Sequence, residues 1–274
     1  MKYSRRFGLL GESLPHSWSP MIHAEFGDYE YKLYEKKPGE LSDFFLRGDF
    51  DGLNVTIPYK TEVIKFCAGL SEIAKKTGSV NTVTRVDDGS FYGDNTDYFG
   101  FDYLLKKIKE NVADFPVGKT VILGSGGSSL TVQAVLRDTN ANANAKEKAK
   151  EIAVISRNSV ENNYNNIEKH RDAVMIINAT PVGMYPNVGI SPLKDLGIFK
   201  NCEIVIDLIY NPPRTVLLFQ AEKLGMFCVN GLDMLVAQAK KSSEIFTRSR
   251  IPDEKINCVA RKFSRDGRLD RPQI

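Results

Sequence analysis

Cysteine is scarce in this chain of 274 residues: Cys67, Cys202, Cys228 and Cys258 stand far apart, with no CxxC spacing. That argues against a disulfide framework or a thiolate zinc site and suits idle thiols in a reducing compartment. Histidine is scarcer still. His16, His23 and His170 form no HExxH arrangement, so no metal centre is expected. Long hydrophobic runs are missing too. Phe7-Gly8-Leu9-Leu10 is too short for a signal peptide and nothing approaches a membrane span, so a cytoplasmic protein is expected, without a membrane partner. Nor is one charge in excess: 37 Lys and Arg against 34 Asp and Glu leave +3, too little to imply a nucleic-acid partner. Basic residues gather only in the tail from Arg248 to Arg271, read as a solvated helix face and a frayed end.

What is present is a soluble globular composition, 42% hydrophobic and 26% charged, in a chain long enough for two domains. Short apolar runs alternate with amphipathic stretches from end to end, which predicts an α/β protein of two α/β domains with mainly parallel sheets. Strands are expected at Phe7–Leu10, Tyr29–Tyr34, Gly52–Val55 and Val80–Val86, with a hairpin turn at Asp87-Asp88-Gly89. Helices are expected at Pro20–Phe26, Gly39–Leu46, and Lys60–Phe66 continuing to Ser71–Lys76. Thr96–Ile108 reads as a helix capped near Thr96 or Asp97, with Phe101, Leu104, Leu105 and Ile108 on one face.

A second cycle has strands at Thr120–Leu123, Ile152–Ser156, Val174–Asn178, Glu203–Leu208 and Phe227–Val229, with helices at Ser128–Leu136 and Thr215–Leu224. This is the alternation of a mononucleotide-binding fold. The low-complexity stretch Asn140–Lys150 reads as an inserted loop or a helix extension. Two helices, Gly231–Phe246 and Pro252–Phe263, close the chain with no strand after them, so they are expected to return to the first domain. The expected division is 1–100, 101–230 and 231–274.

Gly124-Ser125-Gly126-Gly127-Ser128-Ser129 follows the strand Val121-Ile122-Leu123 and opens a helix. Glycines there let the backbone approach a pyrophosphate at the helix N-terminus. The next strand ends in Ser156-Arg157-Asn158, with no carboxylate to accept from a ribose hydroxyl. A guanidinium at that point suits a 2′-phosphate, favouring NADP over NAD; the alternative is a surface arginine that only ends the strand.

Two polar stretches carry groups able to move a proton: Asn54-Val55-Thr56-Ile57-Pro58-Tyr59-Lys60 and Gly93-Asp94-Asn95-Thr96-Asp97. Lys60 and Asp97, if brought together at strand ends, supply an amine and a carboxylate. Taken singly, Lys60 reads as a solvated lysine, and Asn81 and Asp97 as turn and cap residues. Ser17 and Ser19 could bind a carboxylate or polyol, or cap the helix that Pro20 opens.

Together these motifs resemble the shikimate dehydrogenase family. The resemblance rests on His16-Ser17-Trp18-Ser19-Pro20 with His23, on the stretch 54–60, on Val80-Asn81-Thr82, and on Asn95-Thr96-Asp97-Tyr98-Phe99-Gly100-Phe101. It continues through the glycine turn, Asn178-Ala179-Thr180-Pro181-Val182-Gly183-Met184, Asp207-Leu208-Ile209-Tyr210 and Asn230-Gly231-Leu232-Asp233-Met234-Leu235-Val236-Ala237-Gln238-Ala239. The motifs keep their order over nearly the whole chain.

The resemblance implies a substrate domain followed by a Rossmann-like NADP(H) domain, and reversible reduction of 3-dehydroshikimate to shikimate. It implies Lys60 as acid/base beside Asp97, and Ser17 and Ser19 on the substrate carboxylate. Thr56, Asn81, Asp97, Tyr210 and Gln238 would surround the ring. Gly124, Ser125, Gly126, Gly127 and Ser128 would cradle the pyrophosphate, Arg157 the 2′-phosphate, and Leu208 and Gly231 would lie by the nicotinamide. Ser125 and Ser128 stand where alanine is common, and Ser156-Arg157-Asn158 where Asn-Arg-Thr is usual. An NAD-preferring quinate/shikimate dehydrogenase and a non-catalytic metabolite sensor are the competing expectations. The partner expected is the small-molecule substrate, on a monomer or homodimer.

Overall fold

The computed structural model describes residues 5–142 and 151–265, and the alternating pattern resolves there into two sheets. The first is built from β1 (Arg6–Gly11), β2 (Glu30–Glu35), β3 (Gly52–Val55), β4 (Gly69–Leu70), β5 (Thr82–Arg85) and β6 (Phe91–Asp94), in the order β2-β1-β3-β5-β6-β4. β2, β1 and β3 run parallel, and so do β6 and β4. The expected hairpin at 87–89 sets β6 antiparallel to β5, which itself pairs antiparallel with β3. Every residue of central β3 is buried, whereas the edge strand β2 buries none. Its polar residues Glu30, Lys32 and Glu35 suit a sheet edge that must not recruit another strand.

The second sheet is wholly parallel: β7 (Thr120–Leu123), β8 (Ile152–Ile155), β9 (Met175–Asn178), β10 (Ile204–Asp207) and β11 (Phe227–Asn230), ordered β11-β10-β9-β7-β8. The three inner strands are buried throughout, and successive residues point to opposite faces. Val121, Leu123, Ile176 and Val205 meet Leu217, Leu218 and Ala221 of α6 (Val216–Lys223) on one side. Ile122, Ile177 and Ile206 meet Phe101, Leu104, Leu105 and Ile108 of α4 (Thr96–Asn111), with Val132 and Val135 of α5 (Gly127–Asn142), on the other. Helices on both faces are what continuous apolar strands require.

The described residues close with α7 (Leu232–Thr247) and α8 (Glu254–Arg265). Ile256, Val259, Ala260 and Phe263 of α8 share a core with Trp18 and with Ile22 and Phe26, in and just after α1 (Ser19–Ala24). The last helices thus return to the first sheet's region, as expected. α7 lies against α1, α4 and α8 and buries even Lys240, whose ammonium reaches Glu244 at 2.8 Å and Asp253 at 2.7 Å.

The structure departs from expectation in places. Residues 60–66 form no α-helix but a turn and a 3-10 segment, Glu62–Phe66. The helix expected at Gly39–Leu46 is α2 (Leu41–Arg47), and the expected continuation of 60–66 is a separate helix, α3 (Glu72–Thr77), capped by Ser71, whose Oγ accepts from Ala74 N at 3.1 Å. Between them β4 pairs with β6 over Gly93, where a Cβ would lie 2.7 Å from the Leu70 side chain. The cap of α4 is Asn95, which accepts from Tyr98 N at 3.2 Å, leaving Asp97 free in the first turn. α5 runs on to Asn142, and the rest of the Asn140–Lys150 stretch, like the tail beyond 265, lies outside the described residues. Among the described residues no helix is long and apolar enough to cross a membrane.

Candidate active site

Lys60 is placed by its backbone. The chain leaves β3 with Val55 N bonded to Asn81 O at 2.7 Å, turns so that Tyr59 N reaches Thr56 O at 2.9 Å, and is clamped where Val80 N reaches Lys60 O at 2.7 Å. Tyr59 is buried beneath the turn with its hydroxyl on Lys36 O. These restraints aim the Lys60 side chain at the N-terminus of α4. There its Nζ donates to Asp97 Oδ2 at 2.5 Å and to Ser128 Oγ, in the first turn of α5, at 3.2 Å. The two charged side chains are only 13% and 8% exposed, so solvent screens the pair weakly. An ammonium held by a carboxylate, with one N–H still to give, can hand a proton to an oxygen that gains charge.

A buried polar lattice supports this pair. Asn81 Oδ1 accepts from Thr96 N at 2.6 Å, fixing the start of α4 against the first sheet. Asn81 Nδ2 reaches Gln238 Oε1 on α7 at 3.4 Å, and Gln238 Nε2 donates to Leu235 O at 2.9 Å. Thr56, half-buried, follows β3 with its N on Leu10 O at 2.9 Å. Ser17 Oγ accepts from Ser19 N at 3.3 Å at the head of α1, where Ser19 is buried. The Tyr210 ring lies 5.1 Å from that of Trp18, and burial pushes the Tyr210 hydroxyl up to about 12. His16 meets Tyr185 edge to face at 4.4 Å, bringing the loops after β1 and β9 into contact.

The glycine turn does two things. Gly124 N bonds to Ile155 O at 2.8 Å and Ser125 Oγ to Ser156 Oγ at 3.1 Å, so the turn is tied to the end of β8. A Cβ on Gly126 would meet nothing within 4 Å, which leaves space for an anion in front of the free N–H groups of a 16-residue helix. A Cβ on Gly127 would instead lie 2.8 Å from Lys60 Cβ and 2.9 Å from Ser79 Oγ. That glycine is needed because the first sheet's region packs against it. Arg157 follows β8 and is exposed, open to a phosphate at the adenosine end. The turn and the guanidinium therefore fit a phosphorylated dinucleotide. Gly231 N bonds to Ile209 O at 3.1 Å, beside half-buried Leu208.

Two residues that hold the site, Asp207 within a quoted motif and Asp138 outside any, have no role assigned from the sequence. Asp207, fully buried at the end of β10, accepts from Asn178 Nδ2 at 2.9 Å, Ile209 N at 3.1 Å and Thr215 Oγ1 at 2.7 Å. Burial lifts its carboxyl to about 6 against the pull of these bonds. They fix the ends of β9 and β10, which carry two of the quoted motifs. Asp138 on α5 binds Lys76 of α3 and the Tyr98 hydroxyl of α4, and the signal for it is no more than a polar residue in a helix.

The comparisons extend the likeness beyond this site. Residues 9–83 match the family described as the shikimate dehydrogenase substrate binding domain. A Methanopyrus kandleri protein named shikimate dehydrogenase (NADP(+)) is 38% identical over 270 residues, 90% of this chain and 91% of the relative. One of that name from Clostridium perfringens is 33% identical over 265 residues, covering 89% and 93%. Among solved structures, shikimate dehydrogenase 1 from Peptoclostridium difficile superposes with a TM-score of 0.83 at 36% identity, covering 96% and 98% of the two chains. The Thermus thermophilus shikimate 5-dehydrogenase in complex with NADP(H) and shikimate gives 0.77 at 27%, covering 94% and 99%. A likeness that spans both sheets, not the nucleotide turn alone, makes this chain a member of the shikimate dehydrogenase family.

Proposed function

We propose that this chain is a shikimate dehydrogenase, an oxidoreductase that reversibly reduces 3-dehydroshikimate to shikimate with NADPH on the route to chorismate and the aromatic amino acids. The observation that carries the reading is the shielded Lys60–Asp97 pair, 2.5 Å apart and facing the glycine turn. Gly124, Ser125, Gly126, Gly127 and Ser128 would hold NADPH, which would supply the hydride. Lys60 gives a proton to the carbonyl oxygen as negative charge develops there, and Asp97 orients the ammonium and accepts from a ring hydroxyl. Ser17 and Ser19 hold the carboxylate; Thr56, Asn81, Tyr210 and Gln238 fix the ring so that the reacting atoms sit about 3–3.5 Å apart.

In this reading residues 1–100 form the substrate and catalytic domain, 101–230 the NADP domain, and 231–274 the returning helices. The enzyme works in the cytoplasm as a monomer or homodimer. Initial rates with shikimate and NADP, set beside quinate and NAD, test the assignment. No turnover of shikimate by a chain that binds NADP would favour a metabolite sensor, and a preference for quinate and NAD would favour that other dehydrogenase.

A further inference from the structure

We propose that Ser128 is a positioning residue for Lys60, so that the first turn of the nucleotide-binding helix sets the direction of the proton donor. The inference rests on the acid/base role of Lys60 given above. A lysine ammonium has three N–H donors and rotates freely unless they are held. Here one points to Asp97 Oδ2 at 2.5 Å, from α4, and a second to Ser128 Oγ at 3.2 Å, from α5. Two anchors from different elements fix the direction of the third N–H, the one left for the substrate oxygen. One anchor would leave the ammonium free to turn about it.

The packing around Ser128 keeps that anchor in place. The neighbouring Gly127 sits directly on the lysine's stem, where a Cβ would lie 2.8 Å from Lys60 Cβ and 2.9 Å from Ser79 Oγ. Ser79 Oγ is buried with no hydrogen-bond partner, so the contact at Gly127 is one of close fit. Further along α5, Thr131 Oγ1 accepts from Asn95 Nδ2 at 2.9 Å, and Asp138 binds Lys76 and Tyr98. Ser128, Thr131 and Asp138 thus all meet α3, α4 or Lys60. The helix is seated along its length against α3 and the start of α4, and Ser128 is the part of it that touches the ammonium. Accepting from Lys60 is a different task from cradling pyrophosphate, which the resemblance assigns to the same residue.

A double-mutant cycle with a binding measurement separates the two. Ser128→Ala is expected to lower kcat about tenfold, the worth of one hydrogen bond to a charged group. The NADPH dissociation constant, read by fluorescence titration of the free protein, should move less than about twofold. Ser128→Thr keeps the hydroxyl and should recover most of kcat. In a Lys60→Ala background, Ser128→Ala should cost little more, because the group it positions is gone. The inference is overturned if Ser128→Ala weakens NADPH binding tenfold or more with kcat kept at saturation. It is equally overturned if kcat is unchanged, if threonine fails as alanine does, or if the loss is the same with and without Lys60. Near-normal turnover by Lys60→Ala alone would instead remove the acid/base reading beneath it.

Discussion

Asn95 caps α4 with its side-chain oxygen and, through Nδ2, donates to Thr131 Oγ1 on α5 at 2.9 Å, with both residues buried. The same Nδ2 lies 2.8 Å from Ser79 O and 3.1 Å from Thr77 Oγ1. One amide therefore joins the start of α4, the strand entry before Asn81 and α5. Asn95→Ala removes the cap and leaves buried acceptors without a donor, so it should cost about 2–4 kcal/mol in urea unfolding. Thr131→Val, which deletes one bond and keeps the shape, should cost about 1 kcal/mol. Equal effects from the two would contradict this ranking.

Lys60→Ala should lower kcat by about 10²–10⁴ while the shikimate KM changes far less. Ser17→Ala, Ser19→Ala and Gln238→Ala should do the opposite, raising KM more than they lower kcat, because the proposed function has them orient the ring without exchanging a proton. Steady-state rates at saturating NADP distinguish the two patterns. Lys60→Ala with near-wild-type turnover is incompatible with the mechanism.

Arg157 is exposed after β8 with no carboxylate in Ser156-Arg157-Asn158. Arg157→Ala should weaken NADP binding by about 10–100-fold, the loss of a charge-assisted contact, and NAD binding much less. Titration with both nucleotides checks this, and equal losses for the two would remove the 2′-phosphate role.

Acid stability should depend on His23. It is fully buried against Tyr31, with Nδ1 2.7 Å from the Tyr29 hydroxyl, and burial lowers its pKa from 6.5 to about 3. The unfolded chain thus takes up a proton near 6.5 that the fold refuses. The stability from neutral His23 is complete above that pH and drains as the pH falls towards 3, by as much as about 5 kcal/mol. Asp207 works the other way: its carboxyl is raised from 3.8 to about 6, so its contribution is full below 3.8 and lost as pH rises through 6. Urea unfolding from pH 7 to 4 should show a steeper decline for the wild type than for His23→Gln. Parallel curves would show that His23 does not set the acid limit.

Much of this architecture was legible because its strands are short apolar runs with clear ends. Gly52–Val55 and Thr120–Leu123 lie where the pattern puts them, since buried parallel strands leave little other reading. The segment after Lys60 was not legible. Whether residues 62–66 wind as α or 3-10 depends on the clamp from Val80 to Lys60 O, a contact made by a distant part of the chain. β4 is two residues long and exists because Gly93 admits Leu70, which no local pattern encodes. In the site, motif order brought Lys60 and Asp97 into one reading. The turn of Ser128 towards Lys60 depends on how two sheets meet, and Asp138 belongs to no motif.

The shared core of Trp18, Ile22 and Phe26 with Ile256, Val259 and Phe263 joins α1 to α8, elements far apart in the sequence. During synthesis these aromatic and aliphatic side chains wait uncovered until α8 has been made, while the wholly parallel sheet between them has all its strands in hand sooner. The nascent chain therefore completes this core only after the sheet that lies between its two parts in sequence, and depends on α8 to keep that surface from strangers.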